Sequence, residues 1–299
     1  MINVKDVTKT FGDFKALDGL TLNVKKASVY GLIGPNGAGK TTFIKNLMGI
    51  YKPDSGEITV DGEPVYENIE KKKNMVYISD DLYFFPTYSI LDTAKYYAGI
   101  YPKWNWETFE ALKKIFKIDV KRKPKKLSKG MQKQVAFWMG LSAMPKVLIL
   151  DEPVDGLDPV MRRNVWKIIV QFVAEYETTV LISSHNLREL EDICDHVGIM
   201  YEGKVVLEKS LDDIKGNIHK IQLAFDGEFP PEIYEKAEIL HKETVGRVHT
   251  VIAKGVSDNL EEVFGSFKPL LCDIIPLSLE EVFIYELGGM GYEFENIII

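Results

Sequence analysis

Three uninterrupted apolar runs set the rhythm of this chain: Val29-Tyr30-Gly31-Leu32-Ile33, Val147-Leu148-Ile149-Leu150 and Thr179-Val180-Leu181-Ile182-Ser183. Runs of about five apolar residues bounded by turns predict central parallel strands covered on both faces. The stretch Thr42 to Met48 has helical apolar spacing, residues 82–144 read as mostly helical, and a helix is expected from about Gly130 to Met144. Upstream the period changes to two. Ile2-Asn3-Val4 and Leu20-Thr21-Leu22-Asn23-Val24 alternate across short turns, which predicts an antiparallel subsheet within residues 1–30. Beyond about residue 215 the alternation in Lys220 to Phe225 and Val248 to Ala253, with a helical Leu260 to Phe264, predicts a small α+β appendage. Leu277 to Phe283 has the look of a capped helix, and the apolar end Ile297-Ile298-Ile299 is expected to be buried. The fold class is therefore α/β with an α+β appendage.

The first apolar run leads into Gly34-Pro35-Asn36-Gly37-Ala38-Gly39-Lys40-Thr41-Thr42, and a helical pattern follows it. A glycine-rich loop between a strand and a helix lets successive N–H groups and the helix N-terminus face one anion, so the segment is suited to a polyphosphate. Lys40 is expected to reach the outer phosphates and Thr41 to ligate magnesium. The second run ends in Asp151-Glu152-Pro153. Beside a phosphate loop, Asp151 is placed to hold magnesium and Glu152 to orient and deprotonate an attacking water.

Composition narrows the class without naming a reaction. A chain of 299 residues, 45% hydrophobic and 27% charged, can bury a sizeable core and supply one large and one small domain. Its two cysteines, Cys194 and Cys272, are too few for a disulfide framework or a thiolate metal site, and both are expected to be reduced core residues. The N-terminus carries no signal-peptide pattern and no apolar run reaches bilayer length, so an intracellular chain is expected. The net charge of -7 argues against general attraction to nucleic acid or anionic lipid. The one basic cluster, Lys121 to Lys126, reads as a solvated loop.

Leu127-Ser128-Lys129-Gly130-Met131-Gln132 lies between the two phosphate-site motifs, and with it the ordered set resembles the nucleotide-binding subunit of an ABC transporter. The family signature is LSGGQ; Lys129 and Met131 depart from it while Ser128 and Gly130 stand. Gly156-Leu157-Asp158-Pro159 is similar to the family's D-loop, and Ser183-Ser184-His185 to its switch histidine. The resemblance covers roughly residues 2 to 210. It implies ATP and Mg2+ as ligands, with Phe11 stacked on adenine, a role that can shift to Phe14. It also implies nucleotide contacts from Gly34, Pro35, Asn36, Gly37, Ala38, Gly39, Lys40, Thr41, Thr42, Ser128, Gly130 and Asp158. Lys40, Glu152 and His185 would carry catalysis, and Thr41, Asp151 and Asp80 would face the metal. Asp80 stands where the family has its Q-loop glutamine, so both a metal-facing carboxylate and an exposed turn residue remain open there.

The same resemblance implies a mixed central sheet with an antiparallel β subdomain and a helical subdomain at about 82–144. Residues 1–212 would form the cassette and 213–299 the appendage. A second cassette, in a homodimer or heterodimer, and separately encoded permease subunits are the implied partners, with no nucleic acid. The chain would then sit on the inner face of the cell membrane through that permease. The aromatic concentration of Tyr83, Phe84, Phe85, Tyr88, Tyr96, Tyr97, Tyr101, Trp104 and Trp106 would divide between helical core and permease anchors. The branch resembled most is that of bacterial exporters of antibiotics or amphipathic peptides. The rival readings are a soluble ABC ATPase of ribosomes or DNA and an ATP-gated regulatory module. The chain has neither the second cassette nor the long coiled coil of the soluble relatives, and Glu152 and His185 speak against a module without turnover.

Overall fold

The alternating N-terminal segments pair as an antiparallel hairpin of β1 (Ile2–Phe11) and β2 (Phe14–Val24), with Phe11 opposite Phe14 at its tip. The computed structural model describes residues 1–211, 213, 218–255, 257–275, 277–278, 280–282 and 284. The expected burial of Ile297 to Ile299 falls outside them. The first apolar run, β3 (Val29–Ile33), starts a second sheet and runs through the glycine loop into α1 (Lys40–Leu47). The chain then returns to the first sheet as β4 (Ser55–Val60) and β5 (Glu63–Pro64), giving the order β2-β1-β4-β5. Asp61 and Gly62, at φ 50° and 75°, make the two-residue turn whose twist suits that hairpin. At Gly56, φ is 81° and a Cβ would come within 2.3 Å of the Asp6 carbonyl oxygen, so only glycine lets β4 approach β1 there.

After the single turn α2 (Ile69–Lys72) comes β6 (Met75–Ile78), and then the helical region: α3 (Ile90–Ile100), α4 (Trp106–Phe116) and α5 (Lys129–Ser142). Each of these three helices starts at a side-chain cap that satisfies an otherwise orphaned N–H. Ser89 and Asp92 form a reciprocal capping box, Asn105 accepts from Thr108, and Ser128 accepts from Met131. The region is fastened by α4 against α5. Trp138 is fully buried, stacks on Phe109 at 4.7 Å and donates its indole N–H to the Phe109 carbonyl at 2.8 Å.

The remaining cassette elements are β7 (Val147–Asp151), α6 (Pro159–Tyr176), β8 (Thr179–Ser184), β9 (His196–Tyr201) and β10 (Lys204–Ser210). The second sheet has the order β10-β9-β3-β8-β7-β6. Every pairing from β9 through β3, β8 and β7 to β6 is parallel, and all residues of β3, β7 and β8 are buried. Parallel strands deliver their carboxyl ends to one rim, where the loops that follow can meet. The register makes this concrete: Ile33 lies opposite Ser184, Asp151 opposite Ser183, and Leu150 opposite Ile78.

The chain divides into two units. Residues 1–185 and 193–208 form the first, and residues 186–192 with 209–299 the second. The second thus begins near residue 209 and takes in the short segment after His185. Within it β11 (Ile218–Ala224), α7 (Ile233–Lys236), β12 (Glu238–Val245), β13 (Val248–Lys254), α8 (Ser257–Gly265) and β14 (Leu271–Ile275) follow one another. Its antiparallel sheet has the order β12-β13-β11-β14, and Ile221, Leu223, Phe225, Ile233, Val251, Leu260 and Phe264 form its core. Ser278 and Glu281 exchange the hydrogen bonds of a capping box, as the sequence there suggests. No helix among the described residues is long and apolar enough to cross a membrane.

Because Trp138 joins α4 to α5 through both stacking and a buried hydrogen bond, Trp138→Ala leaves a large void and removes that bond. We expect it to lower the unfolding free energy by about 3–5 kcal/mol in urea titrations followed by circular dichroism. Trp138→Phe, which keeps the ring stack, should lose distinctly less.

Candidate functional site

The loops after β3, β6 and β7 open onto one cavity of about 350 Å³. Pro35, Asn36, Gly37, Gly39, Lys40, Thr41 and Thr42 of the glycine loop and α1 line it together with Asp80, Asp151 and Glu152, and with Phe14 and Ala16 of β2. Gly34 and Ala38 shape the loop rather than line the cavity. A Cβ on Gly34 would stand 2.2 Å from the Met200 carbonyl oxygen on the neighbouring strand β9, and Ala38 donates its N–H to Pro35. Gly39 has φ 106°, which turns the backbone into α1. Lys40, only 7% exposed, folds back over the loop and donates to the carbonyls of Gly34 and Pro35. Burial lowers its pKa from the usual lysine value, while Glu152 and Asp151 oppose that effect.

Asp151 closes β7 with its carboxylate 4% exposed and fully engaged. One oxygen accepts from Thr41 Oγ1 at 3.0 Å and from the Tyr77 hydroxyl at 3.2 Å, and the other from Ser183. Thr41 and Asp151 therefore present adjacent hard oxygens beside the phosphate loop, the donor chemistry that magnesium requires. Burial, then the Asp151 charge, pushes the Tyr77 hydroxyl well above the usual tyrosine range, so it stays a donor. Neither Tyr77 nor the Ser183 hydroxyl is marked in the sequence. Both reach Asp151 because β6 and β8 flank β7, and strand order is a tertiary fact.

Glu152 is the first residue past β7 and has φ 45°, a left-handed backbone that costs a non-glycine residue on the order of 1–3 kcal/mol. Its N–H donates to Ser183, and its carbonyl accepts from Lys133 Nζ at 2.6 Å. The side chain meets His185 Nδ1 at 2.9 Å and lies 3.8 Å from Lys40 Nζ. Desolvation raises the Glu152 pKa above the usual carboxylate range, with His185 and then Lys40 opposing it and Asp155 adding to it. Asp155 is a further acidic neighbour, with ligand atoms of Glu152, Asp155 and His185 all within 4.8 Å of one another.

Other expected residues are placed differently. Phe14, 63% exposed, lines the cavity, whereas Phe11 sits across the hairpin tip and packs edge-on against Tyr51 at 5.4 Å. Phe11 and Phe14 lie opposite each other at the hairpin tip, and of the two it is Phe14, to which the role can shift, that lines the cavity. Asp80 does line the cavity, yet its carboxylate is paired with Lys133 Nζ at 3.1 Å. Ser128, Gly130, Asp158 and His185 do not line it. Ser128 caps α5, and Asp158 caps α6 by accepting from Val160 and Met161. A Cβ on Gly130 would stand 2.7 Å from the Gly156 carbonyl oxygen, so glycine there permits the close approach of α5 to the loop after β7. His185 instead meets the site through Glu152.

The phosphate-sized cradle, the buried lysine and the paired oxygen donors agree with relatives found by comparison. Residues 17–155 match the family model described as ABC transporter. The ABC transporter ATP-binding protein YtrB of Bacillus subtilis is 31% identical over 289 residues, which is 97% of this chain and 99% of that protein. The bacitracin transport ATP-binding protein BcrA of Bacillus licheniformis is 31% identical over 97% of this chain and 98% of its own length. Among solved structures, an ATP-binding subunit of an ABC transporter superposes with a TM-score of 0.67 at 26% identity, covering 72% of this chain and 92% of that one. With this likeness along nearly the whole chain, the chain belongs to the ABC transporter family, as an ATP-binding and ATP-hydrolysing subunit.

Proposed function

We propose that this subunit drives a bacterial exporter of antibiotic or amphipathic peptide substrates by closing on ATP as a pair of cassettes. The observation that carries the reading is the division of the site: Lys40, Thr41, Asp151 and Glu152 surround one cavity, while Ser128 and Gly130 lie outside it. A site missing its signature residues is completed by a second copy or a related cassette. The names of the relatives support the branch, since bacitracin and lantibiotic transport proteins are among them. Exposed aromatics of the helical region, Tyr83, Phe85, Tyr96 and Trp106, offer anchors for a permease, which would hold the chain at the inner face of the membrane.

In this reading Lys40 and the loop N–H groups hold the β- and γ-phosphates, and Phe14 stacks on the adenine. Thr41 and Asp151, with Asp80 at the cavity rim, would hold magnesium. Magnesium supplies charge neutralisation on the phosphates. Glu152 takes the proton of the water that attacks the γ-phosphorus, and His185 holds the carboxylate in place. The raised pKa of Glu152 makes it a better base than an ordinary carboxylate. Asp158 fixes the start of α6 beside the closing surface. Closure then supplies the free-energy difference that moves the permease.

Lys40→Ala should abolish ATP turnover in a coupled phosphate-release assay, since no other cation reaches into the loop from α1. Parental turnover in that variant would sink the site assignment. Glu152→Gln keeps the shape but cannot take a proton, so size-exclusion chromatography with light scattering should show a dimer accumulating in ATP. A monomer throughout, alone and with detergent-extracted permease, would rule out closure of two cassettes.

The acid limb of the pH–rate profile reports Glu152. Its raised pKa moves that limb upward from where an ordinary glutamate would place it, with activity lost as pH falls. Because His185 lowers the Glu152 pKa, the residual activity of His185→Ala should have its acid limb displaced to higher pH. An unmoved limb would remove Glu152 as the titrating base.

A further inference from the structure

Lys133 lies on α5, one turn past the signature residues, and its side chain is only 7% exposed. A buried ammonium must be hydrogen-bonded and charge-compensated. Lys133 meets both needs with groups from two separate loops: the Glu152 carbonyl at 2.6 Å and the Asp80 carboxylate at 3.1 Å. The first partner is the left-handed residue whose side chain is the general base, so the bond holds the peptide that aims that side chain. The second partner stands after β6 and lines two cavities, the nucleotide-sized one and a neighbouring one of about 470 Å³ that Lys129, Lys133 and Asp155 also line. The close passage of Gly130 against Gly156 ties the same helix to the same loop a second time.

We propose that Lys133 is a positioning residue for hydrolysis: it clamps the Glu152 main chain and the Asp80 loop to α5, so the helix carrying Ser128 and Gly130 and the water-activating carboxylate move as one body. Asp80 and Lys133 are then a matched pair. The aspartate stands where the family has its neutral Q-loop glutamine, and the lysine compensates its charge. The inference rests on the ATPase reading for its kinetic consequence, whereas the clamp itself exists without nucleotide.

The test uses the full-length chain with Lys133→Met, Lys133→Arg and Asp80→Asn. Hydrogen–deuterium exchange in peptides spanning 150–158, measured without nucleotide, reads the clamp directly and is independent of turnover. Lys133→Met should speed exchange there by about tenfold, as expected when a local restraint is released, and Lys133→Arg should restore most of the protection. In steady-state ATPase assays Lys133→Met should lower kcat by about 10²-fold, the effect of misplacing a catalytic group by an ångström, with KM for ATP nearly parental. Asp80→Asn, which removes the carboxylate partner, should show the same faster exchange at 150–158 at smaller amplitude, and adding it to Lys133→Met should leave that exchange no faster. Parental exchange at 150–158 in Asp80→Asn and in every Lys133 variant that folds would overturn the proposal. So would parental kcat, a loss of nucleotide binding that accounts for the fall in kcat, or equal effects of Asp80→Asn in both backgrounds.

Discussion

The common direction of β3, β6, β7 and β8 is the constraint on which the rest of the site depends. Because each strand pairs in parallel with its neighbour, the residues that follow their carboxyl ends must gather at one rim. Gly34 to Lys40, Asp80, Asp151 with Glu152, and His185 come from four distant parts of the chain and meet there. The fully buried strands make this rim rigid: a one-residue slip of β7 against β8 would carry Asp151 away from Ser183 and turn its side chain to the other face of the sheet.

Into that rigid rim the protein buries charge, and burial of charge demands compensation. Lys40, Asp151 and Lys133 are each less than a tenth exposed. Lys40 is held by loop carbonyls, Asp151 by three hydroxyls, and Lys133 by a carbonyl and a carboxylate. Hydroxyl partners satisfy the Asp151 oxygens without neutralising their charge. The same desolvation raises the pKa of Glu152, which sits at the end of the rim between Lys40 and His185. The shift of the Glu152 pKa and the electrostatic cost of burying charge in this rim are two aspects of one arrangement.

The second unit obeys simpler rules. Its antiparallel sheet places Ile221, Leu223 and Val251 on one face against α7 and α8, and the alternation of β11 and β13 suffices to specify that packing. The segment 186–192, which follows His185 in sequence, groups with this unit, and Arg188 pairs there with Glu280 at 2.9 Å.

Much of the cassette is legible in one dimension because its chemistry is contiguous. The glycine loop, Asp151-Glu152 and the Ser128 cap each owe their local geometry to neighbours a few residues away, so strand–loop–helix context identifies them. Continuous apolar runs likewise announce β3, β7 and β8. What the chain could not reveal by itself is lateral: which strand lies beside which, and therefore that Tyr77 and Ser183 would reach Asp151. Nor could the sequence decide between Phe11 and Phe14, since the two lie opposite each other at the hairpin tip and only their surroundings, Tyr51 for Phe11 and the cavity for Phe14, tell them apart. The pairing of Asp80 with Lys133, 53 positions apart, is the clearest case. Residue type supplied the charges, but only the packing of α5 against the strand ends brought them within 3.1 Å, because a buried ammonium takes its partners from whatever loops the tertiary fold sets around it.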